Sequence, residues 1–261
     1  MTKSPSRLTL TEHQQVLEWF HAPDRELDFT RVQNIHIWAL VGVAAALIGS
    51  SGTNQSSIHV ERSAEDGPAR FAHAVGFERL IGASTSVAPA ETRRTVRLRR
   101  IRRFEEIEHA AAEISRLLLQ STETEDTRKA LYYILVEFLR NAVQHSGDPA
   151  GAVVGAQLMD RSAEYEDRPV IQVAVGDAGT GVIASLRQTY PEIADAHQAL
   201  VMAQQPWVSS TFYPGGRGTS TNAGLGLYFI SEMAKKAAGR FLLASRGRTG
   251  ALETVTDCAS T

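Results

Sequence analysis

One cysteine, no long apolar run and no excess of charge of either sign limit what this chain can be. Cys258 stands alone in 261 residues, so no internal disulfide can staple the fold, and a reducing cytoplasm is the expected setting. Residues 1–10 are polar and offer no hydrophobic stretch for a signal peptide. The most apolar segment, IHIWALVGVAAALI at 35–48, is shorter than the ~20 residues a membrane span requires and contains His36, so it is read as a buried soluble element. Lys plus Arg is 27 and Asp plus Glu is 29, a net charge of −2. That balance argues against nucleic acid or an anionic membrane as a bulk partner. No glycine-rich stretch ends in Gly-Lys-Ser/Thr, so there is no P-loop, and no internal repeat is present.

What is there is ordinary globular material: hydrophobic residues make up 43% and charged residues 21%, enough to bury one large core or two small ones. The first ninety residues alternate between two patterns. Segments 11–21 and 68–80 have helical character, and 26–32 and 57–62 alternate as half-buried strands do. The Ala-rich run 35–48 is too long for one strand and is read mostly as a helix. This is the grammar of a small α/β unit over 1–90. A polar, proline-containing stretch at 84–92 leads to RRTVRLRRIRRF, and 91–103 is read as a basic linker or edge strand.

From residue 104 the patterning strengthens. Helices are expected at 104–120, 126–145, 190–205 and 223–238, the last with Gly239 as its C-cap. Strands are expected at 150–159 and 169–175, and a hairpin at 241–255.

Three elements in this half carry chemistry. In LYYILVEFLRNAVQHS, Glu137, Asn141 and His145 are spaced i, i+4, i+8 and share one helical stripe. An amide oxygen suits Mg, which takes hard oxygen ligands, and a carboxylate can deprotonate a nucleophile. In VIQVAVGDAGTG a strand ends at Asp177, with Gly179 and Gly181 behind it; a carboxylate there can accept from an exocyclic amine, and glycines let backbone approach a flat ring. In GGRGTSTNAGLGLYFISEM the glycines Gly215, Gly216, Gly218, Gly224 and Gly226 approach a helix N-terminus, where backbone N–H groups and the helix dipole favour phosphate. Taken singly, each has a plain structural reading: a solvated helix face, a common D-x-G turn, a flexible loop.

Their order and spacing are what specify more. E-x-x-x-N on a helix, D-x-G-x-G after a strand and G-L-G-L opening a helix resemble the gyrase, heat-shock chaperone, histidine-kinase and mismatch-repair (GHKL) ATPases over residues 104–261. The resemblance implies a GHKL (Bergerat) α/β sandwich, a mixed sheet covered by helices on one face, binding ATP and Mg. It implies Glu137 as general base, Asn141 as Mg ligand and Asp177 at adenine, with Gly179 and Gly181 shaping the base pocket. Gly224, Leu225, Gly226 and Leu227 would lie against the phosphates, with Asn222 and Arg217 in a lid and Thr249 near adenine. The chain stops soon after ALETVTD, where the family usually continues its last strand. The N-terminal element order, with AHAVGFERLIG, loosely resembles the STAS-like domains often joined to such ATPases.

The glutamate four residues before Asn141 resembles the hydrolysing members and the anti-sigma serine kinases of the GHKL family, and the resemblance implies activation of water or a hydroxyl over phosphate transfer to histidine. His109, the only histidine of segment 104–120, lacks the H-E-x-x-x-P setting of a phosphoacceptor and is read as a surface residue. The expectation is an ATP-dependent switch with slow hydrolysis, acting on a protein partner or on its own N-terminal unit; a homodimer is open. Alternatives are a serine/threonine kinase of the anti-sigma type and a nucleic-acid-binding ATPase using Arg93 to Arg103. Against the last, those arginines are expected to pair with acids such as Glu105, Glu106 and Glu108.

Overall fold

The computed structural model describes residues 2–22, 24–49, 58–61, 67–82, 93–118, 125–146, 149–159, 169–209, 224–236, 239–246 and 252–258. The protein is mixed α/β.

Alternation along two strands organises the C-terminal half. In β7 (Ala152–Met159), Ala152, Val154 and Ala156 turn to one core, while Val153 turns to another. In β8 (Val170–Asp177), Ile171, Val173 and Val175 face the first core and Ala174 the second. A period of two puts successive side chains on opposite faces. With β6 (Thr95–Ile101) these strands form an antiparallel sheet in the order β6-β7-β8.

The first face is covered by two helices, α5 (Phe104–Leu118) and α6 (Glu125–Ser146). Ile107, Ala111 and Ile114 of α5 meet Leu135 and Leu139 of α6 over the sheet, all fully or nearly fully buried. Glu106 starts α5: its carboxylate reaches back to the N–H groups of Arg102 (2.6 Å) and Arg103 (3.0 Å), half of a capping box.

The second face is covered as well. Helix α2 (Ile37–Ile48), the apolar run of the sequence, packs on it, and the strands present small residues there. A β-carbon on Gly155 would stand 3.0 Å from Ile37 Cγ1, and one on Gly176 3.1 Å from Val41 Cγ1. Gln157 and Gln172, paired across β7 and β8, accept from the N–H groups of Ile37 and Trp38, both at 3.3 Å, and so cap the helix. In this sheet the described strands β6, β7 and β8 pair antiparallel, and α2 lies on the face opposite α5 and α6.

The N-terminal half is an α/β unit. Strands β1 (Thr2–Lys3), β3 (Arg25–Asp28) and β5 (Ile58–Glu61) run parallel in that order, with helix α1 (His13–His21) and α2 as crossovers. A short parallel pair joins β2 (Arg7–Leu8) to β4 (Asn34–Ile35). The expected 68–80 helix is two, α3 (Gly67–Ala74) and α4 (Phe77–Leu80), because Gly76 takes φ 78° between them. Leu98, Val153 and Ala174 belong to the same hydrophobic core as Leu27, Leu40 and Phe77, so the N-terminal unit and the sheet share a core.

Beyond β8 come α7 (Val182–Leu186), α8 (Ala196–Ala203) and α9 (Gly226–Lys236), then the antiparallel hairpin β9 (Arg240–Arg246) and β10 (Leu252–Cys258), which forms its own two-stranded sheet. α8 starts six residues later than expected. Pro191 disfavours helix at Tyr190, and Asp195 supplies the cap, accepting from Gln198 N–H at 2.8 Å. Among the described residues no helix is long and apolar enough to cross a membrane.

Candidate functional site

Helix α6 is held by Leu135, Val136 and Leu139 against the sheet, which leaves Glu137 and Asn141 half-buried beside that contact. The N-terminus of α9 packs onto this stripe. Gly226, its first residue, is buried against the Asn141 amide: a β-carbon there would stand 2.2 Å from Asn141 Nδ2 and 3.5 Å from the Glu137 carbonyl oxygen. No side chain larger than hydrogen fits unless the amide moves. The amide makes no hydrogen bond to another described residue, so its oxygen has the chemistry of one ligand to a hard cation that keeps waters.

Gly224 is constrained from the other side. It has φ 64°, and a β-carbon on it would lie 2.5 Å from the Val208 carbonyl oxygen. The preceding residue, Trp207, is exposed and has φ 69°, the one positive φ outside glycine among the described residues. The Leu225 carbonyl accepts from Phe229 N–H at 2.9 Å and so begins α9. The first N–H groups of α9 lack intrahelical acceptors, as at every helix start, and the dipole there favours an anion.

D-x-G-x-G at 177–181, the first glycine box, closes the end of β8; G-L-G-L at 224–227 is the second. Asp177 is exposed, and its Oδ1 accepts from Gly179 N–H at 2.8 Å, which orients the carboxylate. A carboxylate has about four acceptor sites. Gly181, at φ 82°, precedes α7. The next N–H, of Val182, donates to Ser245 Oγ of β9 at 2.8 Å. Val182 packs in one cluster with Leu227 and Leu243, and this cluster joins the two glycine boxes.

Glu137, Asn141 and Gly226 are therefore brought together directly, and Leu227 shares a core with Val182, the residue after Gly181. Gly215, Gly216, Arg217, Gly218, Asn222 and Thr249 lie outside the described residues, as does the side chain of His145. Sequence reading missed four participants. Arg140 pairs with Glu137, and its guanidinium carbon sits 5.0 Å above the Phe104 ring. Val208 backs Gly224, and buried Ser245 ties the first box to β9. Ser245 was reachable from alternation, since Phe241, Leu243 and Ser245 share one strand face, and Arg140 from its i+3 spacing to Glu137; Phe104 and Val208 depend on contacts between distant segments.

The arginine run serves the fold. Arg99 pairs with Glu113, Arg100 Nε donates to the Ala150 carbonyl and Arg103 pairs with Glu106 at 3.3 Å. The pairing with Glu106 was expected; that with Glu113 was not. His109 is exposed and lies 3.0 Å from Glu113. Among the described residues no group of three or more His, Cys, Asp or Glu side chains could hold a metal ion, and a surface pocket between α8 and α9, bordered by Val201, Gln204 and Tyr228, is lined by none of Glu137, Asn141, Asp177, Gly179, Gly181 or Gly224 to Leu227.

Comparison with protein-family models, with curated proteins and with solved structures finds no match to this chain. Residue chemistry and geometry carry the functional reading.

Proposed function

We propose that this chain binds Mg-ATP in the manner of a GHKL ATPase, hydrolyses it slowly and uses the nucleotide as a conformational switch. The observation that carries the proposal is the contact of Gly226 with Asn141: two motifs 85 residues apart in sequence (226 − 141) meet with no room for a side chain between them. That closeness suits a site in which one helix offers a metal ligand and the start of another offers N–H groups to phosphate. In this reading Asn141 binds the ion and Glu137 takes the proton of the attacking water. Asp177 accepts from the adenine amine, and Gly224 to Leu227 face the phosphates. The N-terminal unit, parallel strands with helical crossovers, suits the STAS-like reading and is the natural recipient of the switch, since it shares a core with the sheet.

The test is the fate of γ-labelled phosphate after incubating the full chain with Mg-ATP, alongside Glu137→Ala and Asp177→Ala. Free phosphate that disappears in both variants supports the switch. Label held on protein points instead to a kinase, and acid stability of the bond separates serine or threonine from histidine. ATP that neither turns over nor binds in a titration overturns the proposal.

A further inference from the structure

The glutamate assigned as general base is not free. Glu137 is ion-paired with Arg140, one turn on along α6. The Arg140 side chain is only 16% exposed, and its guanidinium lies over the ring of Phe104, the first residue of α5. Successive helical residues are rotated by about 100°, so Asn141 lies about 40° to one side of Glu137 and Arg140 about 60° to the other. The ion pair therefore draws the carboxylate away from the side of the helix that carries the metal-ligand candidate.

Phe104 is itself positioned from outside the site. Glu106 pins the start of α5 by accepting from the Arg102 and Arg103 N–H groups. Those residues follow β6 directly, and β6 is bound to the N-terminal unit: Leu98 N–H donates to the Val75 carbonyl at 2.9 Å, and Leu98 packs in the N-terminal core. A continuous set of contacts thus runs from the N-terminal unit through β6 and Phe104 to Arg140 and Glu137.

We infer that Arg140 is a positioning residue that holds Glu137 off the attacking water in the resting protein, with the Phe104 ring as its support, so that displacement of the α5 start releases the base. The inference rests on the ATPase reading above and adds to it a reason for slow turnover and a route for its control.

The experiment compares wild type, Arg140→Gln, Arg140→Lys and Phe104→Leu, each with and without Glu137→Gln. Phosphate release and equilibrium binding of ATP are both measured on the full chain. A general base contributes on the order of 10²–10⁴ in rate, so partial release in Arg140→Gln reads as a roughly tenfold rise in kcat with the ATP Kd unchanged. Arg140→Lys returns the rate towards wild type, Phe104→Leu gives a smaller rise, and Glu137→Gln abolishes both rises. A fall in kcat in Arg140→Gln matching that of Glu137→Gln overturns the restraint, as does a parallel change in Kd. If every protein binds ATP and none gains turnover, the restraint fails while the nucleotide site stands. If wild type binds no ATP, the nucleotide reading itself fails and takes the restraint with it. Phe104→Leu keeps an apolar side chain of similar volume, which guards against a fold defect in the arginine variants.

Discussion

The side-chain oxygen of Gln172 accepts a hydrogen bond from the backbone N–H of Trp38, 134 residues earlier in the chain. Gln157 does the same for Ile37, and the two glutamines stand opposite each other on β7 and β8. These are first-turn N–H groups of a buried helix, which would otherwise be orphaned. Removing one acceptor costs about 1–3 kcal/mol. Gln172→Ala and Gln157→Ala should each lower stability by that order. Because the N-terminal unit and the sheet share a core, urea should unfold the full chain in one transition, with tryptophan fluorescence and far-ultraviolet circular dichroism coinciding. Two separated transitions would mean that α2 does not couple the halves.

The apolar pattern made α2 legible as a buried helix, and the alternation in 150–159 and 169–175 made β7 and β8 legible as strands. What α2 is buried against was not legible. Gly155, Ala174 and Gly176 read as neutral positions in strands, and their smallness has meaning only once Ile37 and Val41 are placed above them. The same holds in the site. Glu137 and Asn141 follow from helical spacing, but the Arg140 pairing with Glu137 competes with the catalytic reading, and Phe104 enters only through the packing of α5 on α6.

Gly224 and Gly226 should respond differently to alanine. At Gly224 the added carbon meets Val208 backbone at 2.5 Å with φ at 64°, and neither can give cheaply. Gly224→Ala should therefore destabilise the fold by more than the ~1 kcal/mol that an unstrained Gly→Ala exchange gains. At Gly226 the obstacle is the end of the Asn141 side chain, which can rotate aside. Gly226→Ala should keep a melting temperature close to wild type and lose Mg-dependent ATP binding, because the amide is displaced. Calorimetry and nucleotide titration on both variants decide the matter; a stable Gly226→Ala protein that binds Mg-ATP normally would detach Asn141 from the site.

Glu106 should carry a pH signature. Hydrogen bonds from the Arg102 N–H first, then from Arg103, hold its carboxyl below the ordinary value of 4.5, against the opposing effect of burial. A group lowered on folding contributes stability that is complete above its unfolded value and is lost as pH falls through its folded one. Glu106→Ala should cost about 1 kcal/mol near pH 7, the size of a helix-capping interaction. The difference from wild type should shrink as pH falls below 4.5. Urea midpoints for both proteins between pH 6 and pH 3.5 test it, and a constant gap across that range would contradict the cap.

Ser245 gives the sharpest separation of structure from ligand chemistry. It is 8% exposed, and its hydroxyl accepts from Val182 N–H directly after Gly181. Ser245→Ala leaves that N–H without its partner, at about 1–3 kcal/mol. Ser245→Thr keeps the acceptor but adds a methyl group to a filled site, and overpacking costs about 1–3 kcal/mol as well. The two variants should thus be similarly destabilised while differing at the glycine box. Only Ser245→Ala loosens the turn from Asp177 to Val182, so under the proposed reading only it weakens ATP binding. Equal affinities in the two variants, measured well below their unfolding temperatures, would mean that the β9 tether supports the fold without shaping the base pocket.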